Sequence, residues 1–111
     1  DLDGNEISSI LPNTFKSLLK IVKISLNNNK LTTLDEKTFE FNQNLAEIYL
    51  KNNKISILSS NLLENQGNLR ILNLKYNTCI NKNYVTENII LFANDVAEKC
   101  ILKSDFFSFF G

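Results

Sequence analysis

Ile21-Val22-Lys23-Ile24-Ser25-Leu26-Asn27-Asn28-Asn29-Lys30-Leu31 carries the pattern from which the architecture follows. Apolar residues alternate at Ile24 and Leu26, give way to Asn29, and resume at Leu31 and Leu34. Alternation over so few residues is the pattern of a short strand with one buried face, and the break in it marks a turn. The same spacing returns 24 residues later at Ile48, Leu50, Asn53, Ile55 and Leu58. It returns once more at Leu72, Leu74 and Asn77, where Cys79 takes the place of the next apolar residue. Upstream it reaches Leu2, Asn5, Ile7 and Ile10, while Phe15, Phe39 and Leu63 recur on the segments between. Asn5, Asn29, Asn53 and Asn77 thus stand 24 apart without an insertion, which is the mark of a repeat architecture.

A unit of this size cannot bury its own apolar row, so neighbouring units must stack and share one elongated core. The strands then align as a parallel sheet, with the longer return segments on the opposite side. The asparagines fit this picture as an internal ladder. A carboxamide both donates and accepts, so it satisfies backbone groups freed where the strand bends. Aspartate would keep only the acceptors and add a buried charge.

The units resemble leucine-rich repeats of the 24-residue type with Phe on the return segment, common in extracellular proteins, over roughly residues 2–79. The resemblance implies an α/β repeat solenoid: short parallel strands on a concave face, irregular return segments on a convex face, and a C-terminal helical cap. Residues 1–79 are expected to hold four repeats, 80–103 the cap with a helix at about 87–99, and 104–111 a Phe-rich tail. Asn42 and Gln66 stand where Leu18 stands in the first unit, so the return segments are expected to be irregular there. The first unit begins midway through its strand, with no N-terminal cap, which predicts a chain that continues upstream or sits in a complex.

Beyond Asn77 the pattern stops. Thr86 is a candidate helix N-cap, and Ile89, Phe92, Ala93, Val96 and Cys100 follow at helical spacing, giving an apolar stripe able to cover the open end of the stack. Cys79 and Cys100 are either a disulfide or two buried thiols. With no His and no third Cys they are not a metal site, and without Cys-x-x-Cys they are not a redox motif. The run from Asn77 to Tyr84, followed by a single later Cys, resembles the two-cysteine C-terminal cap of secreted insect leucine-rich repeat proteins, dipteran ones among them. That resemblance implies a Cys79–Cys100 disulfide worth about 3 kcal/mol, a secreted or extracellular setting, and innate-immune recognition as a role.

Composition narrows the function. Lys plus Arg is 12 and Asp plus Glu is 12, a balance that offers no field for nucleic acid or an anionic membrane. Absence of His removes imidazole catalysis, and three Gly supply no phosphate-cradling loop. No catalytic residue, cofactor or metal is expected, and no segment is apolar for the ~18 residues a membrane span requires.

Alternation predicts that Lys23, Ser25 and Asn27, then Glu47, Tyr49 and Lys51, then Ile71, Asn73 and Lys75 line the outward, concave face. Tyr76 joins Asn28 and Asn52 at its margin. Tyr49 and Tyr76 are the candidate anchors for a protein partner, since Tyr brings large area at low entropic cost. Phe106, Phe107, Phe109 and Phe110 are too apolar for a free solvated end. They pack on the cap, bind another chain, or begin a longer segment. The sequence therefore points to a non-enzymatic extracellular protein-binding scaffold. The alternatives are a structural or matrix component that assembles through its ends and tail, and an ectodomain fragment of a receptor or adhesion protein.

Overall fold

The computed structural model describes residues 1–101 of the 111. Three short strands, β1 (Lys23–Ser25), β2 (Glu47–Tyr49) and β3 (Ile71–Asn73), pair in parallel at a strict 24-residue register, Ile24 against Ile48 and Ile48 against Leu72. The central residue of each strand is buried and its neighbours point outward, as a two-residue period demands. Residues 1–4 form no strand, yet Leu2 and Gly4 donate their N–H groups to the Ser25 and Asn27 carbonyls at 3.0 Å, so the first unit is tied to β1.

Behind the sheet lies one core. Leu26, Leu31, Leu34, Phe39, Leu45, Ile48, Leu50, Ile55, Leu72 and Leu74 are buried within it, drawn from equivalent positions of successive units. Each such side chain removed from water contributes about 1.5–3 kcal/mol. Phe15 stacks on Phe39 with ring centroids 6.2 Å apart, joining two return segments.

Those return segments hold no helix or strand among the described residues, yet Asn42 and Gln66 do not disturb them as expected. Each is a chain of turns in which an N–H reaches the carbonyl three residues back: Leu18 to Phe15, Asn42 to Phe39, Gln66 to Leu63. Asn42 Nδ2 donates to the Phe15 and Leu18 carbonyls at 2.9 and 3.0 Å, and Gln66 Nε2 donates to the Phe39 carbonyl at 2.6 Å. Both amides are buried. They form a second polar ladder, on the far side of the core from the asparagines of the strand turn.

The C-terminal part also departs from expectation. A fourth strand, β4 (Asn83–Val85), runs antiparallel to β3 and buries Tyr84 against Leu72. A 3-10 turn at Ile89–Leu91 follows, and only then the helix α1 (Phe92–Lys99), eight residues long rather than the span of about 87–99. The reason lies in the competing demands on the segment. Pairing with β3 holds residues 83–85 extended, and Asn88 Oδ1 accepts the Val85 N–H at 2.7 Å to turn the chain. Thr86 is therefore not the N-cap; that position falls to Leu91, which offers no side-chain bond. Phe92, Val96 and Cys100 enter the core, whereas Ala93 is exposed. Cys79 and Cys100 form a disulfide, closing the fourth unit onto the end of α1.

Candidate functional site

The outward side of the sheet collects the residues that alternation assigns to it. Parallel register sets Lys23 beside Glu47 beside Ile71 in one row, and Ser25 beside Tyr49 beside Asn73 in the next. Beyond the strand ends, Asp3, Asn27, Lys51 and Lys75 stand 24 residues apart and form a third row. Part of that row is committed to the fold. Asp3 Oδ1 accepts the Asn27 N–H at 2.8 Å and the Ser25 hydroxyl at 2.7 Å, and Asn27 Oδ1 accepts the Lys51 N–H at 2.8 Å. Lysine has no acceptor, so the chain of caps ends at Lys51, and Asn73 Oδ1 receives the Lys75 N–H at 3.1 Å instead.

Glu47 and Tyr49 sit two apart on one strand and therefore on one face. The Tyr49 hydroxyl donates to Glu47 Oε1 at 2.5 Å, and Arg70 Nη2 meets Glu47 Oε2 at 3.1 Å. These two bonds hold the Glu47 carboxyl below its usual range, and the same carboxylate pushes the Tyr49 hydroxyl upward. Lys23 Nζ lies 5.2 Å from the centre of the Tyr49 ring, a cation–π contact between adjacent strands. The face's one acidic strand residue is thus neutralised locally. Lys23, Lys51 and Lys75 have no carboxylate partner within 4.0 Å among the described residues.

At the edge where the strands turn, Gly4, Asn28, Asn52 and Tyr76 share a left-handed backbone, with φ of 69°, 60°, 58° and 59°. Asn52 Nδ2 donates to Asn28 Oδ1 at 2.8 Å, linking adjacent units. Gly4, Asn28 and Asn52 at one offset were the available signal for the conformation. Tyr76 is the exposed member with a large side chain, and Lys51 Nζ lies 5.9 Å from its ring centre.

Beneath the face runs the asparagine ladder. Asn29, Asn53 and Asn77 each donate to their own unit's leucine carbonyl and to that of the unit before, and each accepts an N–H from that earlier unit. Asn5 bonds only carbonyls of its own unit and is exposed.

Arg70, Asp3 and Asn81 escaped the sequence reading, although all three fix groups of this face. Asp3 carried a signal, since it occupies the same offset as Asn27, Lys51 and Lys75. Asn81, whose Oδ1 accepts the Tyr76 N–H at 2.9 Å, lies past the repeats, where spacing gives no guidance. The four tail residues Phe106, Phe107, Phe109 and Phe110 lie outside the described residues.

The arrangement is a surface of side chains. It offers aromatic area, cations and amides on a hydrogen-bonded frame. Among the described residues no group of three or more His, Cys, Asp and Glu could hold a metal ion, and no helix is long and apolar enough to cross a membrane. No curated protein matches the chain. The Leucine rich repeat family model matches residues 1–55 and 20–79, and domains of that family generally mediate protein–protein interaction. With the matches running through all four registered units, the chain belongs to the leucine-rich repeat family.

Proposed function

We propose that this chain is a non-enzymatic scaffold that binds a protein partner in an extracellular setting, through the outward, concave face of its sheet. The observation that carries the reading is the pairing of half-buried Tyr49 and exposed Tyr76 with Lys23 and Lys51 on strands locked in register. Side chains already ordered lose little entropy when a partner arrives. The Cys79–Cys100 disulfide supports a secreted location, because such bonds persist in oxidising compartments. Likeness of the cap to that of secreted insect proteins extends the reading to innate-immune recognition.

Assembly through the ends is the second reading, favoured by the exposure of Leu11 and Leu19 on the first return segment and of Ile90 at the cap. Lysine cross-linking with mass spectrometry on the protein from its source separates the two. Links from Lys23, Lys51 and Lys75 to another protein are the expected result. Links confined to Lys99 and Lys103 would favour assembly and end the recognition reading.

A further inference from the structure

Tyr76 holds a backbone conformation that disfavours tyrosine. Its φ of 59° lies where a bulky L-residue is strained and Gly or Asn is tolerated. Other units fill the offset with Gly4, Asn28 and Asn52. An asparagine at 76 would relieve the strain and could extend the Asn28–Asn52 amide chain by one unit. The tyrosine ring returns little to the core, being 58% exposed. What it has is a fixed direction, since its N–H is held by Asn81 Oδ1 at 2.9 Å and Lys51 Nζ stands 5.9 Å from the ring centre. Strain kept at an exposed aromatic is the signature of a binding residue rather than a packing one.

Charge around the ring is one-sided. Lys51 and Lys75 lie on adjacent units, with the Asn52 N–H donating to the Lys75 carbonyl at 2.9 Å. Neither pairs with a carboxylate among the described residues. The acids of this face are spoken for, Glu47 by Tyr49 and Arg70, Asp3 by Ser25 and Asn27. In a chain of zero net charge, this edge of the sheet thus carries two adjacent cations without an ion-pair partner among the described residues.

We propose that Tyr76, Lys51 and Lys75 form the anchor that selects an acidic segment of the protein partner, a deduction that rests on the outward face being the binding surface. The two ammonium groups pair with Asp or Glu side chains, and the Tyr76 ring covers the apolar stems between them. Complementarity of this kind sets which partner is accepted and how fast it arrives.

The test is an anisotropy titration of labelled poly-L-glutamate with the full chain, alongside unfolding midpoints, for the native protein, Tyr76→Asn, and Lys51→Gln with Lys75→Gln. The native chain binds, more weakly as salt rises. Tyr76→Asn weakens binding roughly tenfold or more while its unfolding midpoint rises. The double lysine variant weakens binding with an unchanged midpoint. No binding by the native chain, or undiminished binding by Tyr76→Asn, overturns the proposal, as does a lowered midpoint in that variant. Heparin binding tighter than poly-L-glutamate and dependent on the same three residues also overturns it, in favour of a sulfated polysaccharide. Cross-links from Lys23 and Lys75 to a protein partner that persist undiminished in Tyr76→Asn overturn this anchor and leave the face reading standing. Their absence in both forms removes the face reading itself.

Discussion

The side chain of Asn53 accepts the backbone N–H of Leu31, 22 residues upstream in the preceding unit, at 3.0 Å. Its Nδ2 donates at the same time to the Leu26 and Leu50 carbonyls, at 3.0 and 3.1 Å. Both carbonyls lie just past the ends of β1 and β2, where the chain bends. One buried amide thus ties two units at three points.

Asn53→Ala is expected to lower stability by about 1–3 kcal/mol, because the buried Leu31 N–H loses its partner while the Leu26 and Leu50 carbonyls each keep one of two asparagine donors. Asn53→Asp should cost at least as much, since a carboxylate cannot donate to either carbonyl and brings a buried charge. Asn5→Ala, at an exposed position bonded only within its own unit, should stay within about 0.5 kcal/mol. Urea unfolding of the three variants checks the gradient along the ladder.

The second ladder predicts a different response. The Phe15 and Leu18 carbonyls served by Asn42 also receive backbone N–H groups, and Asn42 Oδ1 is buried without a partner among the described residues. Asn42→Leu exchanges two supplementary bonds for the removal of an unsatisfied oxygen, and should shift stability by less than about 1 kcal/mol. A urea midpoint displaced as far as that of Asn53→Ala would contradict this distinction.

Removal of the disulfide should lower stability by about 2–4 kcal/mol. Cys79 lies on the last unit and Cys100 just beyond α1, with the Leu58 N–H donating to the Cys100 carbonyl at 3.0 Å. Cys79→Ala with Cys100→Ala is therefore expected to loosen the cap first. Hydrogen exchange should accelerate at the α1 amides before those of β1 and β2.

Stability should decline at both ends of the pH scale. The Tyr49 hydroxyl and Arg70 lower Glu47 from its ordinary 4.5, and the Tyr84 hydroxyl and Lys82 lower Asp95 from 3.8. A carboxylate lowered on folding contributes stability above its unfolded value and loses it as pH falls through the folded one. Acid weakening is thus expected below about pH 4. Tyr84 moves upward, by burial first and then by its bond to Asp95, so the folded state favours the protonated phenol. That contribution is complete below the ordinary 10.0 and is lost as pH rises above it. Thermal midpoints recorded across pH should show the alkaline decline shrinking in Tyr84→Phe.

Much of this was legible in the spacing. Period-two alternation around Ile24, Ile48 and Leu72 gave the buried row, and the recurrence of asparagine gave the ladder. Both are local patterns multiplied by repetition. Asn42 and Gln66 misled because polarity on a return segment reads as disorder of the pattern, until the Phe15 and Phe39 carbonyls are seen to face them. β4 was invisible for another reason. Asn83-Tyr84-Val85 has no periodic partner, and it becomes a strand only because β3 presents an open edge. On the outward face, alternation placed the lysines and tyrosines in rows. It could not give the Glu47–Arg70 pair, which joins units through a side chain just outside the strand.

The claim that the outward face meets the partner is tested most directly by covalent lysine labelling, with and without the cross-linked partner bound. Protection of Lys23, Lys51 and Lys75 is expected, with unchanged labelling of Lys16, Lys20 and Lys37 on the return segments. Protection of the return-segment lysines, with Lys23, Lys51 and Lys75 still fully reactive, would contradict that claim.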